Sequence, residues 1–175
     1  MSLSSSDFRT DQVLDAVDRT DSVVGTVRRA EVFRVGANFR VAHLFLLNEE
    51  SEILLQRLAP TRKRHPFCWG SSVAAYVSAG ESYREAIERR ARQELGVSLH
   101  RVAMLGKTFM EDEKCGKFVS LFSASCSGQV DVDSEHIAEV RFLSKASILE
   151  ARKIEPWSFT PTFVHLLDRF HQRIA

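Results

Sequence analysis

Residues 82–97 constrain the fold more than any other stretch of this chain. Ser82 and Glu85 have the spacing at which a hydroxyl and a carboxylate each satisfy a free backbone N–H at a helix start. Tyr83, Ile87, Ala91 and Leu95 then recur every fourth residue and form one apolar stripe. Gly96 stands where a helix closes through a left-handed residue, and Val97 opens the next apolar run. Arg90, Gln93 and Glu94 are three and four residues apart, so they share a second face, free for chemistry. A helix with one apolar stripe must be covered, and the flanking sequence supplies the cover.

Strand and helix patterns alternate around it, which points to an α/β fold. Residues 41–47 are almost continuously apolar, as a strand buried on both faces must be. A hairpin turns near residues 18–21, and residues 48–52 turn into a second apolar strand over 53–58. Residues 72–77 read as the strand entering the helix, and 139–143 as a late strand. Between them, 102–110 and 118–126 form a long pair with a solvated acidic tip at Glu111, Asp112 and Glu113. A helix is predicted over 145–152. Thr160 and Pro161 start a last one over 161–173, with Phe163, Leu166, Leu167 and Phe170 on one face. The order predicts a single domain over 11–175, preceded by a disordered segment over 1–10.

A chain of 175 residues is long enough for its own core. Its net charge of +1 gives no general attraction to nucleic acid or membrane, and neither is expected as a partner. Three cysteines without paired spacing argue against a disulfide framework and fit a reducing, cytoplasmic setting. No apolar run reaches bilayer length, and the first residues lack a signal-peptide core. Oligomeric state is left open. His43, on the apolar strand, reads as a hydrogen-bonded core histidine, and Cys115 and Cys126 as packing residues.

Arg57, Arg62, Lys63, Arg64 and His65 gather cationic groups directly before the helix. Guanidinium groups bind phosphate oxygens through paired hydrogen bonds, so such a loop suits a diphosphate; a solvated charged loop is the other reading, above all for Arg62 and Arg64. Arg57, at the end of an apolar strand, is expected to point into the mouth of the sheet.

The helix and its approach resemble the Nudix signature, G-x5-E-x7-R-E-U-x-E-E-x-G-U with U a bulky aliphatic residue. Laid on this chain, the first Gly falls on Ala75, the first Glu on Glu81, the Arg on Arg89, the last Glu on Glu94 and the final Gly on Gly96. The two other carboxylate positions fall on Arg90 and Gln93, and the first U on Ala91. Residues 13–27, then Ile53-Leu54-Leu55-Gln56-Arg57, Thr61-Arg62-Lys63, Pro66 and Trp69 resemble the isopentenyl-diphosphate isomerase branch, whose members also tolerate Arg and an uncharged residue at the two lost positions. The resemblance implies an α/β/α sandwich with a mixed, curved sheet. It also implies a magnesium or manganese ion at Glu94, catalytic roles for Glu94, Glu81 and Arg89, and a small-molecule diphosphate held by Arg57, Lys63, Arg62, Arg90 and Arg40.

The isomerase's own groups are missing. Its Trp-Thr-Asn-x-x-Cys-x-His segment reads here as residues 69–76, with Ala74 for the Cys and Tyr76 for the metal-binding His. Its upstream histidines fall near Phe33 and Arg40, and its Glu-x-Glu pair on Cys115 and Lys117. Moving an alkene needs an acid and a base on opposite faces of the substrate, so isomerase activity is not expected. Two classes remain: a Nudix-type hydrolase cleaving a diphosphate compound, for example a nucleoside diphosphate derivative, and a diphosphate-binding module without turnover.

Overall fold

The computed structural model describes residues 11–174; the disorder expected over 1–10 lies outside them. A hairpin comes first, β1 (Val13–Val17) pairing antiparallel with β2 (Val23–Arg28). After a 3-10 turn, the single-turn helix α1 (Val32–Val35) ends at Gly36 and leads into β3 (Phe39–Leu46). Then follow β4 (Ile53–Leu58), the short β5 (Trp69–Gly70), β6 (Val73–Tyr76) and the signature helix α2 (Tyr83–Leu95). A long pair, β7 (Leu99–Asp112) and β8 (Cys115–Cys126), precedes β9 (Ile137–Leu143), α3 (Lys145–Ile154) and α4 (Pro161–Phe170).

A mixed four-stranded sheet runs β6-β3-β8-β7, with β3 and β8 parallel and the outer pairs antiparallel. A second sheet, β5-β4-β9, is antiparallel. β3 is the spine, because successive side chains of a strand point to opposite faces. Phe39, Val41 and Phe45 join one core with Phe163, Leu166 and Leu167 of α4, while Ala42, Leu44 and Leu46 join another with Ala86, Ile87, Ala91 and Leu95 of α2. Burial on both sides requires the continuous apolar run read from the sequence. Helices on both faces of a mixed sheet make this the expected α/β/α arrangement. Among the described residues, no helix is long and apolar enough to cross a membrane.

The start and end of α2 match its sequence signals. Ser82 Oγ accepts from Glu85 N at 3.2 Å and Glu85 Oε2 accepts from Ser82 N at 2.8 Å, while Gly96 closes the helix at φ 65°. The long pair extends further than predicted. β7 continues through Glu111 and Asp112, and the turn falls at Glu113 and Lys114. This corrects the reading of Asp112 as part of a solvated tip, since a paired strand sends alternate residues inward and Asp112 is buried.

Candidate functional site

A cavity of about 970 Å³ opens between α2, β4, β6 and the tip of the long pair. Its wall includes Arg89, Arg90, Gln93 and Glu94 from α2, Arg29 after β2, Arg62 and Arg64 from the basic loop, and Asp112 and Lys117 from the long pair. Phe39, Val41, Leu58, Ala74, Ala75 and Tyr76 supply an apolar floor.

On α2, Glu94 is only 4 % exposed and is ion-paired with Arg90, one turn earlier. Its second oxygen, Oε2, is buried without a hydrogen-bond partner. Gln93 Oε1 accepts from Arg90 Nη1 at 3.1 Å. Arg89 donates twice to Glu81, at 2.7 and 2.9 Å, and once to Tyr76 O at 3.1 Å, so this pair ties the helix to β6. Burial opposes ionisation of Glu81, but Arg89 and the Ser78 amide outweigh it and hold the carboxyl below its usual range. Glu81 does not line the cavity; Arg89 does.

Arg29 was missed by the sequence reading. Its guanidinium centre lies 4.0 Å from the Tyr76 ring centroid, and Nη1 donates to Gln12 Oε1 at 3.3 Å. Among the described residues no carboxylate pairs with it. Burial pushes its pKa down; Tyr76 opposes this, while Arg90 and Arg62 push it the same way. Arg62 also lacks a carboxylate partner among the described residues. The sequence signal was available in the Arg28-Arg29 pair ending an apolar strand, but it carried no spacing to either basic cluster.

At the other end, Asp112 accepts from Arg64 at 2.6 and 3.3 Å and from Lys117 Nζ at 2.7 Å. Lys117 also donates to Thr162 Oγ1 at 2.9 Å. Burial would raise the Asp112 pKa, but the two cations hold it below the usual carboxylate range. His43 is buried with Nδ1 2.8 Å from Ser71 Oγ, as its reading as a hydrogen-bonded core residue predicts. Burial, aided by Lys117, pushes its pKa down to about 3, so the ring is neutral at any physiological pH.

Three of the expected diphosphate ligands are not brought to the cavity. On β4, Gln56 turns inward, so Arg57 faces the other way; it donates to Phe67 O at 3.1 Å and lies 3.9 Å from Glu139. Arg40 donates to Asp21 Oδ1 at 2.6 Å and sits 3.5 Å from Asp15, held by the first hairpin. Lys63 is exposed on the basic loop, outside the cavity wall. Arg62 and Arg90 do line it.

The residues present do not assemble a resident metal site. Among the described residues, no three His, Cys, Asp or Glu side chains converge as metal ligands. The wall's Glu94 and Asp112 each already carry a protein cation, and magnesium requires several oxygen ligands. Ala74, Tyr76 and Lys117 line this same cavity. The positions of the isomerase's Cys, His and second Glu therefore surround it, with none of those groups.

A family model for the NUDIX domain matches residues 37–163. An uncharacterised Nudix hydrolase of Streptomyces coelicolor is 34% identical over 154 residues, covering 86% of this chain and 83% of the relative. An isopentenyl-diphosphate Delta-isomerase of Salmonella typhi is 26% identical over 166 residues, covering 89% and 90%. A crystal structure from Deinococcus radiodurans superposes with a TM-score of 0.78 at 24% identity, covering 91% of this chain and 99% of that one, a likeness of fold.

Proposed function

Because this chain belongs to the Nudix family, we propose that it is a hydrolase-like protein acting on a small organic diphosphate, nucleoside diphosphate derivatives included. The observation that carries this reading is that Arg29 and Arg62 face the cavity with no carboxylate partner among the described residues. A half-buried cation without a counter-charge is costly unless an anion completes it, and paired guanidinium donors match phosphate oxygens. Arg90, beside Glu94, adds a third guanidinium. In hydrolysis water bonds to phosphorus while the bridging P–O bond breaks, the leaving phosphate keeps the electron pair, and a proton of the attacking water passes to solvent. The guanidiniums stabilise the charge that grows on those oxygens. The magnesium or manganese that the resemblance implies finds no assembled set of protein ligands here, since Glu94 is already paired with Arg90.

Capture without turnover is the second reading. It is favoured by the Arg90–Glu94 pair, which occupies the signature's remaining carboxylate on that face. Phosphate release from inorganic pyrophosphate, ADP-ribose and nucleoside triphosphates, with magnesium or manganese, separates the two. The hydrolase reading expects release that falls at least tenfold in Glu94→Gln, about the effect of losing one charge-assisted contact. Saturable binding with no release from any compound would establish capture alone. Isopentenyl diphosphate should not be isomerised, since Ala74 stands at the position of the isomerase's proton-moving Cys and Tyr76 at that of its metal-binding His; isomer formed above background would overturn that expectation.

A further inference from the structure

We propose that this cavity captures its diphosphate without a divalent metal, because the protein's own cations already sit on Glu94 and Asp112 and no cluster of metal-ligating side chains forms among the described residues. The inference rests on the diphosphate reading above. Each carboxylate placed by α2 or the long pair to meet an ion is occupied: Glu94 by Arg90, and Asp112 by Arg64 and Lys117. Arg90 and Lys117 reach these carboxylates from α2 and from the long pair, on two sides of the cavity.

Arg29 and Arg62 then stand beyond this balance. The lining carries six Arg or Lys side chains against the four carboxylates of Asp11, Glu94, Asp112 and Asp133, so the wall is positive before any ligand arrives. A free divalent ion entering that wall meets repulsion from like charges, which grows where burial removes water. A diphosphate meets the opposite: donors preset at its oxygens and no ion needed to bridge it to carboxylates. Magnesium in solution competes for the same oxygens and lowers the ligand's charge, so it should weaken capture if it does anything.

Calorimetric titration of the whole protein with inorganic pyrophosphate, once in EDTA and once in excess magnesium, tests this. Saturable binding in EDTA, equal to or up to about tenfold tighter than in magnesium, is expected for recognition by charge-assisted donors alone. Binding that needs magnesium, or is at least tenfold tighter with it, overturns the inference while leaving the diphosphate reading intact. No binding in either condition overturns both. Arg90→Gln supplies a second readout, because it removes one cation and frees Glu94. Its affinity in EDTA should fall about tenfold and be partly restored by magnesium. A folded variant behaving as the parent does in both conditions would contradict the inference.

Discussion

Replacing Arg29 with methionine is expected to weaken pyrophosphate binding roughly a hundredfold while leaving the free protein as stable as before, or more so. The first effect follows from losing a pair of charge-assisted hydrogen bonds, about 3 kcal/mol together. The second follows from burial: Arg29 has no carboxylate partner among the described residues, and burial with Arg90 and Arg62 nearby disfavours its charge. Methionine replaces the guanidinium that lies over the Tyr76 ring with a polarizable thioether suited to an aromatic neighbour, and removes that cost. Calorimetry and a thermal melt read the two effects separately. A residue kept for structure would show the reverse, with stability lost and binding unchanged. Arg57→Met serves as the control, since Arg57 lies outside the cavity and its loss should move affinity less than threefold.

Asp112→Ala should destabilise the fold by about 3 kcal/mol, because breaking a buried ion pair strands its partner. Lys117 is 13 % exposed and would keep only Thr162 as an acceptor, while Arg64 would lose both bonds that fasten the basic loop to the long pair. For a chain of this size that corresponds to roughly 6–12 °C in Tm. Adding Lys117→Met should recover much of the loss, since the stranded charge is then gone. The pH dependence carries a sign. The pKa of Asp112 is depressed in the folded state, so its contribution is complete above the unfolded carboxylate value, near 3.9, and fades as pH falls through the lower folded value. Acid unfolding of the parent should therefore be steeper below about pH 4 than that of the variant. Equal melting temperatures at pH 7 would mean that Asp112 ties nothing together.

The framework was legible where local signals and burial agreed. Ser82, Glu85 and Gly96 fixed α2, and an apolar run over 41–47 could only be a strand covered on both faces. The last helix followed from Thr160, Pro161 and the apolar face after them. What failed was direction. Arg57 and Gln56 are neighbours in sequence and opposites in space, and one residue of strand register decides which enters the cavity. Arg40 was expected at the diphosphate from the resemblance, but Asp21, nineteen positions earlier, claims it through the first hairpin. Arg29 and Asp112 were passed over for the converse reason. Their roles arise from Tyr76, Arg64 and Lys117, contacts that only the tertiary fold creates.

Guanidiniums from three separate segments, Arg29, Arg62 and Arg90, are proposed to form one anion site against the signature helix. Titrating nitrogen-15-labelled protein with inorganic pyrophosphate, and following the side-chain Nε–H signals of its arginines, tests this directly. Signals of Arg29, Arg62 and Arg90 should shift together along one saturation curve, while those of Arg40 and Arg57 stay in place. Saturable shifts at Arg40 or Arg57 with Arg29 silent, or no saturable shift at any arginine, would contradict it.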